Sequence, residues 1–319
     1  MKTRSALLLS GIALMAFAEA SQASYSWSLL SANQSGATTP TATSNGYTTQ
    51  SWGNTRTYNG TDGNVATSDP SVTASAWSNT GNSGVGGNTN SMTYTIENAY
   101  LPTYTGGLGV MNRDASTSSY YGDKNDASSS SGEHSVDNNQ RNDMVLFKFS
   151  ESISLEQVII GWSQNCADIT VMAYQGSDPL ALAGLTYKDD TLPKTDLANS
   201  GWTVIGHYAN AATGDTDITV NLGNHGVSAS YWLIGAYNPA VGGTGLANGC
   251  DGLTVTTSTG SSCGGSYTVT TLNSANVKLA GLIGKTPPPP PGQSVPEPAT
   301  LGLLGIGLLG MSRLRRRQA

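Results

Sequence analysis

The chain has 319 residues and an acidic composition, with 15 Lys and Arg against 21 Asp and Glu and a formal net charge of −6. Six of the basic and two of the acidic residues lie in the terminal segments 1–23 and 296–319, so the body between them carries a net charge of −10. An acidic body of this kind repels phosphate backbones, and nucleic acid is therefore excluded as an expected partner.

The first 23 residues have the pattern of an export signal. Lys2 and Arg4 precede an apolar run over residues 6–18, and small residues follow in AEASQAS, which is the order of a secretory signal peptide. Cleavage is expected after Ala20 or Ala23. The apolar run is shorter than the roughly 17 to 25 residues that span a bilayer, so we expect the signal to be removed and the mature chain to lie outside the cytoplasm.

The body, residues 24–284, divides by composition near residue 143. Residues 24–143 contain ten Val, Ile and Leu and no Phe, a count typical of disorder. Trp27, Trp52 and Trp77 nevertheless recur among Ser- and Thr-rich segments, which suits short strands with one buried face. We predict a single β domain across this polar, loop-rich half and the half that follows. A loosely ordered first half ahead of a compact sandwich is the alternative.

Residues 144–284 have a clear strand pattern. MVLFKFS places Val145, Phe147 and Phe149 on one face, and DITVMAY alternates in the same way. Further predicted strands are QVIIGWS, WTVIGHY, DITVNL, YWLIGAY, LTVTT, SYTVTTL and NVKLAGLI. Turn-forming residues separate most of them, and no long stretch has helical periodicity. The sequence therefore predicts an all-β fold, an antiparallel β-sandwich of jelly-roll type.

Three cysteines in a chain expected to be exported predict one disulfide. Cys250 and Cys263 flank DGLTVTTSTGSS, a candidate strand and turn, and their short separation makes them the preferred pair. Pairing of Cys166 with Cys250 is the alternative. Since no CxxC spacing is present, the cysteines are not expected to bind a metal.

The densest group of polar residues lies between residues 113 and 143. Calcium is the one cofactor this segment suggests, because the ion prefers six to eight hard oxygen ligands on flexible loops. The segment lacks the EF-hand pattern, so we expect a solvated loop and no cofactor. A calcium site is the alternative, with Asp137, Asn138 and Asp143 as its ligands, since they lie just before a strand. The remaining polar residues of the group are Asp114, Asp123, Asp126, Glu133 and His134, of which His134 is expected to be a hydrogen-bonding loop residue.

No catalytic residues are predicted, and the chain is not expected to be an enzyme. GSSCG, residues 260–264, matches the nucleophile-elbow pattern around Ser262, but no helix follows it and all three histidines precede it. Alternation in WTVIGHY places His207 on the face opposite Trp202 and Val204, and His225 lies in the turn-like GNHG. Neither histidine has a partner at metal or triad spacing, so structural roles are expected.

The C-terminal region begins with a stiff spacer. Residues 285–295 contain five consecutive prolines, which favour polyproline II. The tail, residues 296–319, then has the motif Pro296, Glu297 and Pro298, followed by ATLGLLGIGLLGMS and RLRRR. Its apolar part of about 17 residues reaches the lower limit for a transmembrane segment. Positive charge stays cytoplasmic, and the charged side chains that are expected to fix this orientation are Arg313, Arg315, Arg316 and Arg317.

This order of motif, Gly- and Leu-rich span and basic terminus resembles the PEP-CTERM sorting signal. The resemblance implies handling by an exosortase, a membrane-embedded cysteine transpeptidase, in a Gram-negative bacterium that makes exopolysaccharide. It also implies transient anchoring in the inner membrane, followed by release to the cell surface or extracellular matrix. An ordinary C-terminal membrane anchor is the alternative, although a permanent anchor usually has a longer apolar core.

The body is similar to exosortase-dependent surface proteins in the segments GGLGVMNRD, GEHSVDNNQRNDMVLFKF, DITVMAYQG and GWTVIGHYAN. This similarity implies an exported β-rich protein with no assigned enzymatic activity. Our leading hypothesis is a structural or adhesive role in the envelope, biofilm or extracellular matrix. The alternative is a calcium-dependent module that binds the cell's exopolysaccharide. Exposed aromatic side chains would stack on its sugar rings, although most are expected in the core; those available are Trp52, Trp77, Trp162, Trp202 and Trp232.

Overall fold

Antiparallel strand pairing accounts for the regular structure of the body, all of which lies in one compact unit, Ala23–Pro287. The computed structural model describes residues 22–30, 34–35, 42–44, 47–49, 54–62, 65–66, 70–81, 95–111, 135–138, 142–177, 181–186, 196–197, 199–209, 217–246, 250–262 and 265–287. The strands are β1 Ser24–Ser28, β2 Gln34–Ser35, β3 Ala42–Ser44, β4 Tyr47–Thr49, β5 Thr55–Tyr58, β6 Thr61–Asp62, β7 Val65–Ala66, β8 Val72–Gly81, β9 Thr95–Asn98, β10 Thr103–Tyr104, β11 Gly107–Leu108, β12 Val136–Asp137, β13 Asp143–Asn165, β14 Ile169–Tyr174, β15 Trp202–Tyr208, β16 Ile218–Asn221, β17 Ala229–Ala236, β18 Asp251–Ser262 and β19 Gly265–Lys285, with a 3-10 turn at Pro239–Val241.

The first sheet, sheet A, is centred on β19. Strand β13 pairs with one edge of β19 and continues the sheet to β16. Strands β1, β11 and β12 share the other edge of β19, each along a different part of its length. Val158, Leu282 and Trp27 lie opposite one another on three neighbouring strands, and all three are buried. Sheet A therefore joins strands from both halves of the body.

The second sheet, sheet B, has the order β8, β13, β17, β14 and β15. Strands β5 and β9 pair with the outer edge of β8. Val145 lies opposite Ala76 on one side and Ile234 on the other, and all three side chains are buried. Every pairing between the named strands of the two sheets is antiparallel, so the predicted all-β antiparallel sandwich is confirmed.

Strand β13 belongs to both sheets. Residues 143–149 pair with β8 in sheet B, and residues 154–165 pair with β19 in sheet A. The register with β17 shifts between Lys148 and Ile153, where the strand passes from one sheet to the other, and such irregularities bend a strand. The sequence pattern predicted two separate strands in this region. The structure joins them because the polar residues between them also adopt extended backbone.

The main core lies between the two sheets and contains the apolar residues that alternation predicts. Val145, Phe147 and Phe149 are all buried in it. The ring of Trp27 meets that of Phe149 edge to face, with centroids 4.8 Å apart, and its indole N–H donates to the carbonyl oxygen of Pro70 at 2.7 Å. Aromatic pairs of this geometry contribute about 0.5–1.5 kcal/mol beyond the burial of their area.

A second apolar cluster covers the outer face of sheet B. The cluster contains three side chains of sheet B, namely Met172, Leu146 and Leu233. Two further leucines, Leu182 and Leu197, belong to the same cluster. Met172 is only 2 % exposed although alternation in DITVMAY places it on the face away from the main core. Both faces of sheet B are therefore apolar.

Strands β18 and β19 form a long hairpin at one end of the sandwich. Their pairing runs from Asp251 opposite Ser274 to Ser262 opposite Gly265. Strand β19 then enters sheet A, where its pairing with β13 begins at Ala275. Within the described residues, β18 pairs with no strand other than β19. We call residues 251–274 the arm.

A search of the described residues for a helix of sufficient length and hydropathy to cross a membrane finds none. Residues 1–21 of the predicted signal peptide and the whole tail, residues 296–319, lie outside the described residues.

Candidate functional site

A disulfide between Cys166 and Cys250 lies where the arm leaves the sandwich, with the two Cα atoms 6.2 Å apart. The preferred prediction of a Cys250–Cys263 bond is therefore wrong, and the alternative pairing is the observed one. Sequence separation does not predict which cysteines pair here. Cys166 directly follows β13 and forms a β-bridge with Ala275 of β19, and Ala275 lies beside the start of the arm. Cys263 lies outside the described residues.

Beside this disulfide, the side chain of Asn138 forms hydrogen bonds with three other segments of the chain. Its amide nitrogen donates to the carbonyl oxygens of Tyr237 and Cys250 at 2.7 and 2.6 Å. Its amide oxygen accepts from the backbone N–H of Ala275 at 2.9 Å, and the residue is 4 % exposed. Buried amides that make all of these bonds fix the position of the backbone they contact.

Asp168 completes this arrangement. Its carboxylate Oδ2 accepts from the backbone N–H of Cys250 at 3.0 Å, and its carbonyl oxygen accepts from the N–H of Tyr237 at 3.0 Å. Ligand atoms of Cys166, Asp168 and Cys250 lie within 4.8 Å of one another. Because both sulfur atoms are in the disulfide, the group is a structural cluster and not a thiolate metal site. We call Cys166, Cys250, Asn138 and Asp168 the polar anchor.

The positions of the candidate calcium ligands do not test whether calcium is bound. Asp137 on β12 and Asp143 at the start of β13 are 3 % and 1 % exposed, and each has an interaction with other residues. The amide of Asn138 is committed to the polar anchor. Calcium binding therefore stays a prediction. The other acidic residues of the segment and His134 lie outside the described residues.

His207 holds the loop after β17. Its Nε2 donates to the carbonyl oxygen of Gly242 at 2.8 Å, and its Nδ1 lies 2.8 Å from the hydroxyl of Thr170. That hydroxyl also accepts from the backbone N–H of Asn238 at 2.9 Å, so it donates its own hydrogen to Nδ1. Each donor then meets an acceptor, which assigns His207 the Nε2–H tautomer.

The predicted face of His207 is wrong. Strand β15 has one extra residue at Ile205, because Val171 of β14 pairs with Gly206 and Met172 pairs with Val204. A bulge of this kind reverses the faces on which later side chains lie. His207 is therefore on the same face as Val204, and not opposite to it.

His225 also has a structural role. Its Nε2 contacts the carbonyl oxygen of Leu155 at 2.7 Å, and its Nδ1 accepts from the backbone N–H of Val227 at 3.1 Å. The ring packs edge to face on Trp232 with centroids 5.4 Å apart. Both described histidines thus hold backbone segments in place, as the sequence predicts.

The outer face of sheet A carries a lysine between two aromatic rings. Nζ of Lys278 lies 4.4 Å from the ring centroid of Tyr104 and 4.4 Å from that of Trp162. Tyr104 is brought there by the β10–β11 hairpin, whose Gly107 has φ +119° and packs against the backbone of Leu279. A cation held by two rings in this way has a fixed position. We call Tyr104, Trp162 and Lys278 the aromatic clamp.

A polar groove lies elsewhere on sheet A, where β13 pairs with β16. It has a volume of about 460 Å³. Gln157 donates to the side-chain oxygen of Asn221 at 2.7 Å, and Lys285 forms an ion pair with Glu156 at 2.5 Å. Amide and charged side chains of this kind bind hydroxyl groups. The lining residues are Ser154, Glu156, Gln157, Asn221, Gly223, Asn224 and Lys285.

Sequence reasoning missed the polar anchor, the clamp and the groove. Their members come from segments far apart in the chain, and Asn138 and Cys250, for example, are 112 residues apart. The predicted sorting residues, by contrast, are consecutive, and this is why the sequence alone identifies them. They lie in the tail, outside the described residues.

A match to a known family lies in the tail of the chain. Residues 294–317 match the PEP-CTERM protein-sorting motif, and this range contains Pro296, Glu297, Pro298 and the arginines of the tail. No curated protein and no solved structure matches the chain. The motif implies export and processing by an exosortase. The chain is therefore an exported all-β protein that carries a PEP-CTERM sorting signal.

Proposed function

We propose that the protein is a non-catalytic component of the cell surface or extracellular matrix, with a structural or adhesive role. The observation that carries this proposal is the polar anchor. Its disulfide, with Cys250 buried and Cys166 half-buried, and its hydrogen bonds hold the arm on a rigid sandwich. The sorting motif supplies the route to the surface. Disulfides are typical of proteins that work in oxidising surroundings outside the cytoplasm.

The hydrogen bonding of the described polar residues supports the same role. His207 and His225 contact backbone carbonyl oxygens through Nε2, and Asp168 accepts from a backbone N–H. Groups that serve in general acid–base catalysis need a reacting group within hydrogen-bond reach. In this protein these side chains are instead hydrogen-bonded to the protein's own backbone.

Fractionation of the native host tests this proposal. The protein is detected with an antibody in cytoplasmic, periplasmic, cell-surface and matrix fractions, and matrix cohesion is measured in a gene-deletion strain with and without complementation. We expect the mature protein in the surface and matrix fractions and weaker cohesion after deletion. Recovery from the periplasm alone, with unchanged cohesion, would contradict a structural or adhesive role.

A second candidate function is binding of the cell's exopolysaccharide, and the aromatic clamp favours it. Trp162 and Tyr104 are both half-buried, and Lys278 between them is positioned to meet an acidic or hydroxyl group. Aromatic rings combine a large apolar area with a preferred stacking geometry, which suits the faces of sugar rings. The polar groove on the same sheet offers additional amide donors and acceptors.

Calorimetry with purified exopolysaccharide tests this second function. We expect Trp162→Ala to weaken binding by at least about 10-fold, the usual effect of removing a central aromatic contact. Trp77→Ala is the matched control, because Trp77 is also half-buried but lies in sheet B. Titrations with added calcium and with a chelator show whether the ion takes part. Equal affinities for the two variants would contradict binding at the clamp.

A further inference from the structure

The arm has no charged residue and no proline in its paired strands beyond Asp251. Residues 252–277 contain no Lys, Arg, Asp, Glu or Pro. Both strands contain the tetrapeptide Thr-Val-Thr-Thr, at residues 254–257 and 268–271. Natural proteins protect long strand edges with charges, especially Lys, and with Pro. The arm lacks both kinds of protection and is rich in residues with high β propensity.

Within the described residues, the outer edge of each strand of the arm has no neighbouring strand. Among the residues that the structure describes, β18 pairs only with β19, and residues 265–273 of β19 pair only with β18. Nine residue pairs hold the two strands together. At about 3.3 Å per residue the arm is roughly 30 Å long. Each edge therefore presents a row of backbone N–H and C=O groups to which another strand can add.

The base of the arm is held in place before any partner arrives. The disulfide joins Cys250 to the end of β13, and Asn138 binds the backbone at both Cys250 and Ala275. These two residues adjoin the first and last residues of the arm. Rigidity of this kind lowers the entropy that association must overcome.

The distribution of charge favours contact through the arm over contact through the sandwich. Residues 24–295 carry a net charge of −10, so two bodies repel each other. Salt screens such repulsion over about 8 Å at physiological ionic strength, and the arm is several times longer than this distance. Two arms, which have no charged residue beyond Asp251, can therefore pair while the acidic bodies stay too far apart to repel each other strongly.

We propose that the arm pairs edge to edge with the arm of a second copy of this chain. The shared Thr-Val-Thr-Thr segment makes the two edges chemically alike, so each arm accepts a neighbour on either side. An interface that does not close on itself produces an open chain of molecules. The inference rests on the proposed structural role and gives it a mechanism, which is self-association within the matrix.

Sedimentation velocity of the exported protein, purified from its host, tests this inference. All variants carry Cys263→Ser, so that oxidation of this thiol does not produce dimers. We expect the parent protein to associate as its concentration rises, and to associate more strongly at physiological ionic strength than at about 0.01 M salt, where the repulsion between bodies extends over about 30 Å. Thr254→Lys with Thr256→Lys should weaken association by at least 10-fold, and Thr254→Glu with Thr256→Glu should do the same.

The matched control is Thr203→Lys with Thr219→Lys, which makes the same charge change at two exposed threonines of the sandwich. Unchanged association in the control supports the arm as the interface, and circular dichroism verifies that each variant is folded. A parent protein that stays monomeric at every concentration overturns the inference. If the protein is monomeric but is still retained in the matrix fraction, only self-association is overturned. The proposed structural role then stands, and the arm or the sandwich has a different partner.

Discussion

Asn138 and Cys250 are 112 residues apart in the chain, and the amide of Asn138 donates to the carbonyl oxygen of Cys250 at 2.6 Å. The same amide group binds Tyr237 and Ala275. One short polar side chain thus fixes three backbone segments at the base of the arm. An alanine in its place leaves two buried carbonyl oxygens and one buried N–H without this partner.

We expect Asn138→Ala to lower the free energy of unfolding by roughly 2–4 kcal/mol, because each lost hydrogen bond costs about 1 kcal/mol and orphaned buried groups add to the loss. Urea denaturation followed by tryptophan fluorescence measures the change. Asn224→Ala, at an exposed position, is the control and should change stability by less than about 0.5 kcal/mol. Similar values for the two variants would show that the Asn138 bonds contribute little.

Removal of the disulfide should destabilise the sandwich. The bond closes a loop with a sequence separation of 84 residues, and loss of a native disulfide typically costs about 2–5 kcal/mol. We expect Cys166→Ser with Cys250→Ser to show this loss in thermal and urea denaturation. Cys263→Ser should leave stability unchanged. The opposite order of effects would support the Cys250–Cys263 pairing instead.

Gly107→Ala should detach the β10–β11 hairpin from sheet A. Gly107 has φ +119°, and a Cβ at this position would collide with the backbone of Leu279. We expect a loss of at least about 2 kcal/mol, since both backbone strain and a steric clash contribute. Gly223→Ala is the control, because Gly223 has φ +72° but open space around it, so its cost should be limited to about 1 kcal/mol. Equal losses would show that the collision is relieved elsewhere.

Stability should fall at strongly alkaline pH through Tyr58. Burial raises the pKa of Tyr58 from 10.0 to about 12, against the opposing effect of the Arg56 guanidinium. Because the folded-state pKa is above the unfolded one, this contribution is fully present below pH 10 and is lost as the pH rises towards 12. The full difference corresponds to about 2.7 kcal/mol.

Tyr58→Phe isolates this contribution, since the other tyrosines remain. We expect the difference in unfolding free energy between wild type and variant to shift in favour of the variant between pH 10 and pH 12. Urea denaturation at each pH measures it. A difference that stays constant over this range would mean that Tyr58 titrates alike in the folded and unfolded protein.

The mature protein should lack the tail. We expect exosortase processing to remove the residues beyond the Pro-Glu-Pro region. Intact-mass analysis of protein from the native host should then show the loss of Arg313 and Arg315 to Arg317. Replacement of Pro296, Glu297 and Pro298 by alanine should keep the full-length protein in the membrane fraction. Retention of the arginines in the wild-type surface protein would instead support an ordinary anchor.

The strands could be predicted where burial follows a simple period of two. Val145, Phe147 and Phe149 alternate along one strand and fill the main core. Prediction failed where local irregularities or long-range contacts decide the structure. The bulge at Ile205 reverses the face of His207, and a bulge leaves no reliable signature in a single sequence. Met172 is buried because Leu182 and Leu197, which lie between β14 and β15, belong to the same apolar cluster.

The candidate sites differ in the same way. The sorting motif is a contiguous segment and could be found by its order of residues alone. The disulfide could not be assigned, because the closeness of Cys166 and Cys250 depends on β13 and β19 lying side by side. Tyr104 and Trp162 meet Lys278 only after three separate strands have assembled.

Strand β19 extends from the arm into the centre of sheet A and ends at Lys285, the first residue of the predicted spacer. Tension between a partner on the arm and an attachment at the C-terminal side would act along this one strand. Inside the sandwich, β13 pairs with one edge of β19, and the other edge pairs with β1, β11 and β12. Such a load shears many hydrogen bonds at once instead of unzipping them singly. The fold is therefore arranged to resist mechanical pulling in the direction in which a matrix protein would be stretched.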